Sequence, residues 1–349
     1  MKQGIALLGN NTPASLKEAV SHFDRAIDLR RRLPLDANPM FRHGLAAGWM
    51  NRGDALTRLG SPENLAEALR SYDAALETLS LLPLDVSPLF RRRLAIAWQN
   101  RGLTLLAQDA NGWAEAEQSF TKAIAILHQG NAAMIEDRNY LLATVWMNKA
   151  NALVRGQALD PARTAAKQAL AVTIPAESSD LALAEAGLNA RHILCQAIAG
   201  WLAGPGLSTA ARDELIAEAT DAVDDGMRLA QNWEQRGATQ FRPLAQELFR
   251  FGARIYQMFQ PHFLNEFLLE TLDPAHSTAF AANTEMHAAA LESLWRTFRE
   301  LQRGGFAQLN TPQFDEFLER LRELRMLEDR LAELRRQYLR GEGQGEGGQ

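Results

Sequence analysis

Three acidic residues on one predicted helix have a spacing that could serve metal binding. Asp221, Asp224 and Asp225 are related by i, i+3 and i+4, which places their carboxylates on one helix face where they could bind a divalent cation. The seven His residues are scattered, and none has a second His or a carboxylate at a spacing typical of metal ligands. A solvated outer helix face explains the three carboxylates better, so we predict no metal and no cofactor.

The single cysteine and the common catalytic motifs give no indication of an enzyme. Cys195 lies in the apolar stretch HILCQAIAG, which is typical of a core residue, and a lone cysteine excludes an internal disulfide framework. The sequence contains no HExxH, no GxSxG and no glycine-rich phosphate loop after a strand. We therefore predict a protein without catalytic residues, with a helical enzyme of unfamiliar type as a remote alternative.

Composition and charge narrow the class of protein further. Hydrophobic residues make up 46% and charged residues 23% of the chain, as in globular proteins, and the formal net charge of -5 lacks the basic footprint of nucleic-acid binding. The first residues lack the apolar region of a signal peptide, and no stretch approaches the ~20 apolar residues needed to span a bilayer. We expect a cytoplasmic protein that binds no membrane.

Among its 37 basic residues only five are Lys, which suggests a GC-rich bacterial genome.

Two motifs alternate along the first 230 or so residues and predict an array of antiparallel helix pairs. Copies of the first motif are LPLDANPMFRHGLAAGWMNRG from Leu33, LPLDVSPLFRRRLAIAWQNRG from Leu82, and a shorter LLATVWMNKANAL from Leu141. Copies of the second motif are EAVSHFDRAID from Glu18, EALRSYDAALE from Glu67 and EAEQSFTKAIA from Glu115, with weaker ones at 162–170 and 218–227.

Helix start and stop signals accompany both motifs. Thr12-Pro13, Ser61-Pro62 and Ser87-Pro88 each combine an N-cap with Pro at the first helical position, and Pro34 and Pro83 stop the preceding helices. The predicted helices of the first type are residues 39–59, 88–108, 132–156 and 179–203, with residues 1–9 as the end of another. The predicted helices of the second type are residues 13–32, 62–82, 112–129, 160–173 and 208–232.

The pattern W-x-N-x-G, followed by E-A-x3-(F/Y)-x2-A-(I/L), resembles the tetratricopeptide repeat family over residues 1–232. This resemblance implies an all-α fold, a right-handed α-solenoid of antiparallel helix pairs that binds other proteins. The chain departs from the family in its repeat of about 48 residues, where the family has 34. It also departs at Arg52, Arg101 and Lys149, which stand where the family commonly has Leu.

Helical spacing assigns two opposite faces to the helices of the first type. Trp49, Gly53 and Leu56 form one stripe, and we predict that this stripe and its counterparts around Trp98 and Trp146 are core, with the glycine allowing close helix approach. In the family, the opposite side lines a concave groove that receives partners. The resemblance therefore nominates as groove residues Asn51, Asp54, Arg58, Asn100, Leu103, Asn148, Asn151 and Arg155.

Asn51, Asn100 and Asn148 of this set form a ladder with two possible roles. Their amides could grip a peptide backbone, since an amide both donates and accepts, or they could hydrogen-bond between neighbouring helices. Some family members capture a terminal carboxylate on this face with Lys and Arg, but Met50, Asp54, Gln99 and Leu103 supply no such clamp. Two arginine runs, Arg30–Arg32 and Arg91–Arg93, are better explained as solvated faces than as sites for an acidic or phosphate-bearing partner.

The last third of the chain loses the repeat. We predict a repeat array over 1–236, a Phe-rich helical capping region over 237–304, a long amphipathic helix over 305–340 and a flexible tail over 341–349. The apolar residues of the final helix have a spacing close to that of a coiled-coil seam. This helix either folds back on the last repeats, which we favour, or pairs with another chain. We expect a scaffold that binds a protein or peptide and no nucleic acid. A homo-oligomeric assembly protein using the final helix is the alternative.

Overall fold

The computed structural model describes residues 1–259, and every regular element within them is helical. Eleven α-helices are joined by short turns and three 3-10 helices, the latter at Ala110–Gly112, Gly130–Met134 and Thr239–Phe241. The α-helices are α1 Lys2–Asn10, α2 Pro13–Arg31, α3 Pro39–Leu59, α4 Pro62–Ser80, α5 Pro88–Gln108, α6 Trp113–His128, α7 Arg138–Arg155, α8 Leu159–Thr173, α9 Leu181–Leu202, α10 Thr209–Glu234 and α11 Arg242–Phe259.

Each helix packs against its neighbours in the chain, in order, from α1 to α8. Helices of the first type also touch the next helix of their own type, α3 against α5 and α5 against α7. Helix α9 continues the series, because Leu183 and Ala186 pack with Ala143 of α7. The prediction of an all-α solenoid is confirmed.

The chain divides into two compact units, Met1–Trp201 and a second that begins at Leu202. The described part of the second unit contains α10, which carries the fifth copy of the second motif, and α11. The sequence places the end of the repeat array later, at residue 236. Residues 260–304 of the predicted cap, the predicted helix over 305–340 and the tail over 341–349 lie outside the described residues. No helix within 1–259 is long and apolar enough to cross a membrane.

Most helix limits match the predicted ones, because the caps are local signals. The side chains of Thr12, Ser61 and Ser87 accept hydrogen bonds from the first-turn amides of α2, α4 and α5. Asn38 does the same for α3. The exception is α7, expected from residue 132 but beginning at Arg138 after a 3-10 turn. No Ser-Pro or Thr-Pro pair precedes it, and its N-cap, Asp137, makes no side-chain cap hydrogen bond.

Core packing places an aromatic ring of α2, α4 and α6 against a glycine of the preceding first-type helix. Phe23, Tyr72 and Phe120 are at most 1% exposed. A Cβ atom at Gly53 would lie 2.7 Å from the Tyr72 ring, and one at Gly102 would lie 2.6 Å from the Phe120 ring. The predicted close approach at these glycines is therefore confirmed, and no side chain fits there without movement.

The predicted core stripe is buried at its glycine, alanine and leucine positions, but the tryptophans that mark the repeat are only partly buried. Leu56 and Leu105 of the stripe are buried, but Trp49, Trp98 and Trp146 pack only partly against the core. The rings of the second-type helices already fill the space beside the glycines. Cations lie over these partly buried indole rings: Arg31 at 4.8 Å from Trp49, Lys122 at 4.2 Å from Trp98 and Lys149 at 5.5 Å from Trp146.

Candidate partner-binding face

The eight predicted groove residues all lie on α3, α5 and α7, the central helices of the first type. Helix α5 packs on α4 and α6 on one side and touches α3 and α7 at its flanks, which leaves one side open. We call the eight positions the first-helix face. They are Asn51, Asp54 and Arg58 on α3, Asn100 and Leu103 on α5, and Asn148, Asn151 and Arg155 on α7.

Two of the three ladder asparagines hydrogen-bond to a neighbouring unit. The Nδ2 atom of Asn51 donates to Sδ of Met1 at 3.7 Å, and Nδ2 of Asn100 donates to Oδ1 of Asp54 at 3.0 Å. The side chain of Asn148, the third, makes no hydrogen bond to any other residue in the described part of the chain, and Asn148 is only partly buried. The ladder thus combines contacts between helices with an amide that is accessible to a partner.

Asp54 is the polar centre of the contact among α3, α4 and α5. Its Oδ1 atom accepts hydrogen bonds from the Tyr72 hydroxyl at 2.5 Å and from Asn100. Burial raises the pKa of Asp54, although Tyr72 and the positive charge of Arg58 act in the opposite direction. Burial and the nearby carboxyl group likewise raise the pKa of Tyr72 far above its usual value. Asp54 is therefore engaged in packing rather than presented to solvent.

Arg58 and Arg155 cap the ends of preceding first-type helices. Nη1 of Arg58 donates to the Leu8 carbonyl in the last turn of α1 at 3.0 Å, and Nη1 of Arg155 donates to the Leu106 carbonyl in the last turn of α5 at 2.9 Å. Carbonyls in a last helical turn lack intrahelical donors and carry the negative end of the helix dipole, so both arginines stabilise the stacking of units. Both side chains remain exposed.

Apolar residues form a stripe along the open side of α5. Leu89, Ile96 and Leu103 recur every seven residues; Leu89 is 38% and Leu103 39% exposed, while Ile96 is partly buried. Asn151 of α7 is partly buried as well. Between the stripe and α7, Nε2 of Gln99 donates to Oγ1 of Thr144 at 3.3 Å.

Arg52, Arg101 and Lys149 have a role that sequence reasoning missed, although it noted their departure from the family pattern. Arg52 of α3 binds Asp24 of α2 at 2.7 Å and both Ser71 and Glu67 of α4, at 2.7 and 3.0 Å. Each arginine or lysine of this column thus ties a first-type helix to a flanking second-type helix, and we call the set the ionic clamps.

The next two units repeat the clamp with small changes. Arg101 of α5 binds Asp73 of α4 at 2.7 Å and Ser119 of α6 at 3.1 Å. Lys149 of α7 binds Glu117 and Thr121 of α6, both at 2.9 Å. A signal for the first two clamps was present in the sequence, because Asp24, Glu67 and Ser71 recur one repeat later as Asp73, Glu115 and Ser119. The acceptors of Lys149 break that pattern, since Thr121 stands in the Asp column and Glu117 aligns with Leu69.

The residues considered for metal or thiol chemistry lie apart from this face. Within residues 1–259, no group of three or more His, Cys, Asp or Glu residues is arranged to hold a metal ion. Asp225 pairs with Arg228 at 2.6 Å on the same helix. Cys195 is fully buried in α9.

Comparisons with known proteins identify no relative by sequence. No protein-family model matches the chain, and no curated protein matches it. Among solved structures, the fold is similar to the crystal structure of BtubC (BKLC) from P. vanneervenii, with 15% sequence identity and a TM-score of 0.40. That similarity covers 84% of this chain and 94% of that chain. A likeness this distant carries no argument about activity or partners.

Proposed function

We propose that this chain is a non-catalytic, cytoplasmic bacterial scaffold of the tetratricopeptide type, which binds a peptide or helix of a partner protein on the first-helix face. The observation that carries the proposal is the apolar stripe of Leu89, Ile96 and Leu103 on the open side of α5. Fourteen residues separate its ends, which corresponds to about 21 Å of helix. That length suits two or three side chains of a bound segment.

Polar groups beside the stripe support peptide binding. Asn148 and Asn151 are partly exposed on the adjacent helix, and their side chains make no hydrogen bond to any other residue between 1 and 259. An amide can donate to a peptide carbonyl and accept from a peptide N–H, which suits main-chain recognition. The ionic clamps and the glycine–aromatic contacts hold α5 and α7 in place, so little ordering of the scaffold accompanies binding.

The test is partner capture by the full chain, followed by affinity measurement on the captured protein. The face variant combines Leu103→Ser, Asn148→Ala and Asn151→Ala, and spares Asn51, Asn100 and Asp54 because these join the helices. Leu81→Ser is the matched control, since Leu81 is 62% exposed and lies outside this face. We expect calorimetry to show at least tenfold weaker binding by the face variant and unchanged binding by the control. Unaltered binding by a folded face variant would place the interface elsewhere.

A further inference from the structure

Two arginines stand at positions that are apolar or small in the other units. Arg30 of α2 aligns with Leu79 of α4 and Leu127 of α6, both of which are fully buried. Arg93 of α5 aligns with Gly44 of α3 and with Leu141 of α7, which is 6% exposed. The repeat itself therefore does not require a cation at either position.

Both arginines meet at His43, and we call the three residues the His43 cluster. Nη1 of Arg30 donates to the Gly44 carbonyl at 2.5 Å, and Nε of Arg93 donates to Nε2 of His43 at 3.4 Å. His43 is 8% exposed, and its ring lies 5.6 Å from that of Phe90. Arg30 and Arg93 are each partly exposed, so the His43 cluster borders solvent.

Neither Arg30 nor Arg93 of the His43 cluster forms a salt bridge with a carboxylate of residues 1–259, although the charge of Asp54 acts on Arg93 from a longer distance. Among residues 1–259, the other arginines near the start or middle of α3 and α5 each pair with an acid: Arg42 with Asp36, Arg52 with Asp24, Arg91 with Asp85, Arg92 with Asp137 and Arg101 with Asp73. Arg30 and Arg93 hydrogen-bond only to neutral acceptors.

Burial and neighbouring charges set the ionisation of this cluster. Burial lowers the pKa of Arg30 and of Arg93, and Arg92 lowers that of Arg93 further, while Asp54 acts in the opposite direction. Burial, followed by the charges of Arg93 and Arg30, lowers the pKa of His43, so the ring is neutral at pH 7. Two positive charges therefore remain, partly withdrawn from water.

A partly desolvated cation destabilises the folded chain unless an anion or sufficient hydrogen bonds compensate it. The terminal Nη atoms of Arg93, and Nε and Nη2 of Arg30, have no acceptor among the described residues. A guanidinium group with two unused N–H donors matches a carboxylate. We propose that the His43 cluster binds carboxylate side chains of an acidic segment of the partner protein. This inference rests on the proposed scaffold function and names the chemistry of the bound segment.

The proposal is tested on the full chain with a fluorescein-labelled octaglutamate peptide, and octaglutamine as the uncharged probe. The variant Arg30→Leu/Arg93→Leu introduces the residues that the other units carry at these positions. We expect it to bind octaglutamate at least tenfold more weakly by fluorescence anisotropy, and to melt at a higher temperature than the wild type. Arg25→Leu, at an exposed position of α2, is the matched control and should retain the wild-type affinity.

Four results would overturn the proposal. In the first, the wild type does not bind octaglutamate at millimolar concentration, and in the second it binds octaglutamine as strongly as octaglutamate. In the third, Arg25→Leu weakens octaglutamate binding as much as the double Leu variant does. In the fourth, the wild type binds a phosphoserine octapeptide tenfold more tightly than octaglutamate. A lower melting temperature of the double Leu variant would instead show that the arginines stabilise the fold; Arg30→Gln/Arg93→Gln then tests the affinity with the polarity kept. If octaglutamate does not bind but the first-helix face variant loses its captured partner, the scaffold function stands and the acidic segment is excluded.

Discussion

At the scale of single residues, each helix pair depends on one contact, where a residue of the first-type helix and a residue of the second-type helix must have matching side-chain volumes. Gly53 faces Tyr72 and Gly102 faces Phe120, whereas the next unit has Ala150 and Ala166 at the aligned positions. A larger residue on the first-type helix thus accompanies a smaller one on the second-type helix. The sum of the two volumes, rather than either residue alone, is what the contact between the helices requires.

Replacing Gly102 by Ala tests this volume constraint. The added Cβ would lie 2.6 Å from Cε1 of Phe120, so we expect Gly102→Ala to lower the free energy of unfolding by about 1–3 kcal/mol. Gly9→Ala is the control: no atom lies within 4 Å of a Cβ there, and the change should stabilise α1 by up to ~1 kcal/mol. Urea denaturation measures both. Adding Phe120→Leu should recover part of the loss, and strictly additive effects of the two changes would contradict the volume argument.

The carboxyl group of Asp54 should make stability depend on pH. Burial raises its pKa in the folded chain, so the ionised form is less favoured there than in the unfolded chain. The wild type therefore loses stability as pH rises through the folded pKa of Asp54. Asn at this position keeps an oxygen acceptor for Tyr72 and Asn100 but does not ionise.

We expect the stability of Asp54→Asn relative to the wild type to increase as pH rises and to level off above the folded pKa of Asp54. Thermal melts followed by circular dichroism between pH 3 and 8, a range about the ordinary carboxyl pKa, provide the comparison. A difference between the two proteins that stays constant over this range would show that Asp54 has the same pKa in the folded and unfolded chains.

At the scale of elements, the ionic clamps join each first-type helix to its neighbours. The Arg101 side chain is 20% exposed and bridges Asp73 of α4 to Ser119 of α6, so one side chain fixes α5 relative to both flanking helices.

A double-mutant cycle between Arg101→Leu and Asp73→Asn measures the clamp. We expect a coupling of about 0.5–1 kcal/mol in the free energy of unfolding, because the pair is partly exposed and screened by solvent. The coupling should fall in 1 M salt. The exposed pair of Arg228 and Asp225, three residues apart on α10, should give a smaller coupling. Equal coupling energies for the two pairs would mean that bridging two helices contributes no more to stability than an ion pair within one helix.

Local signals explain which elements the sequence predicts correctly. Thr12, Ser61 and Ser87 cap helices through bonds spanning two or three residues, so their effect can be inferred without tertiary structure. The start of α7 could not be inferred in this way, because Gly130 adopts a positive φ of 55° and Asp137 binds Arg92 from a different helix. Strong periodicity identified the tryptophan stripe but not its partial exposure, which depends on rings from other helices.

The candidate site was predictable in position but not in its bonding. Helical spacing placed Asn51, Asn100 and Asn148 on one side of the first-type helices. The acceptors of Asn51 and Asn100 lie about one repeat away in the chain, and only the stacking of α1, α3 and α5 brings them within reach. The His43 cluster was harder to infer, because Arg30 and Arg93 belong to arginine runs whose other members are exposed or paired with acids.

At the scale of the whole molecule, contacts between neighbours decide how far a local change spreads. Helix α5 touches α3, α4, α6 and α7, while α1 packs chiefly on α2. In such an array, stability is approximately a sum of unit and nearest-neighbour contributions, and units can open separately. A defect at Gly102 should therefore weaken the central helices and leave the first pair intact.

Hydrogen exchange on Gly102→Ala tests this locality. We expect amide exchange to accelerate at least fivefold in α5 and α6, because the substitution weakens the contact between these two helices. Exchange in α1 and α2 should stay within twofold of the wild type, since α3 and α4 separate them from the altered contact. Gly9→Ala provides the reference in which no helix is destabilised. Uniform acceleration from α1 to α8 would show that the first unit opens as a single cooperative body rather than pair by pair.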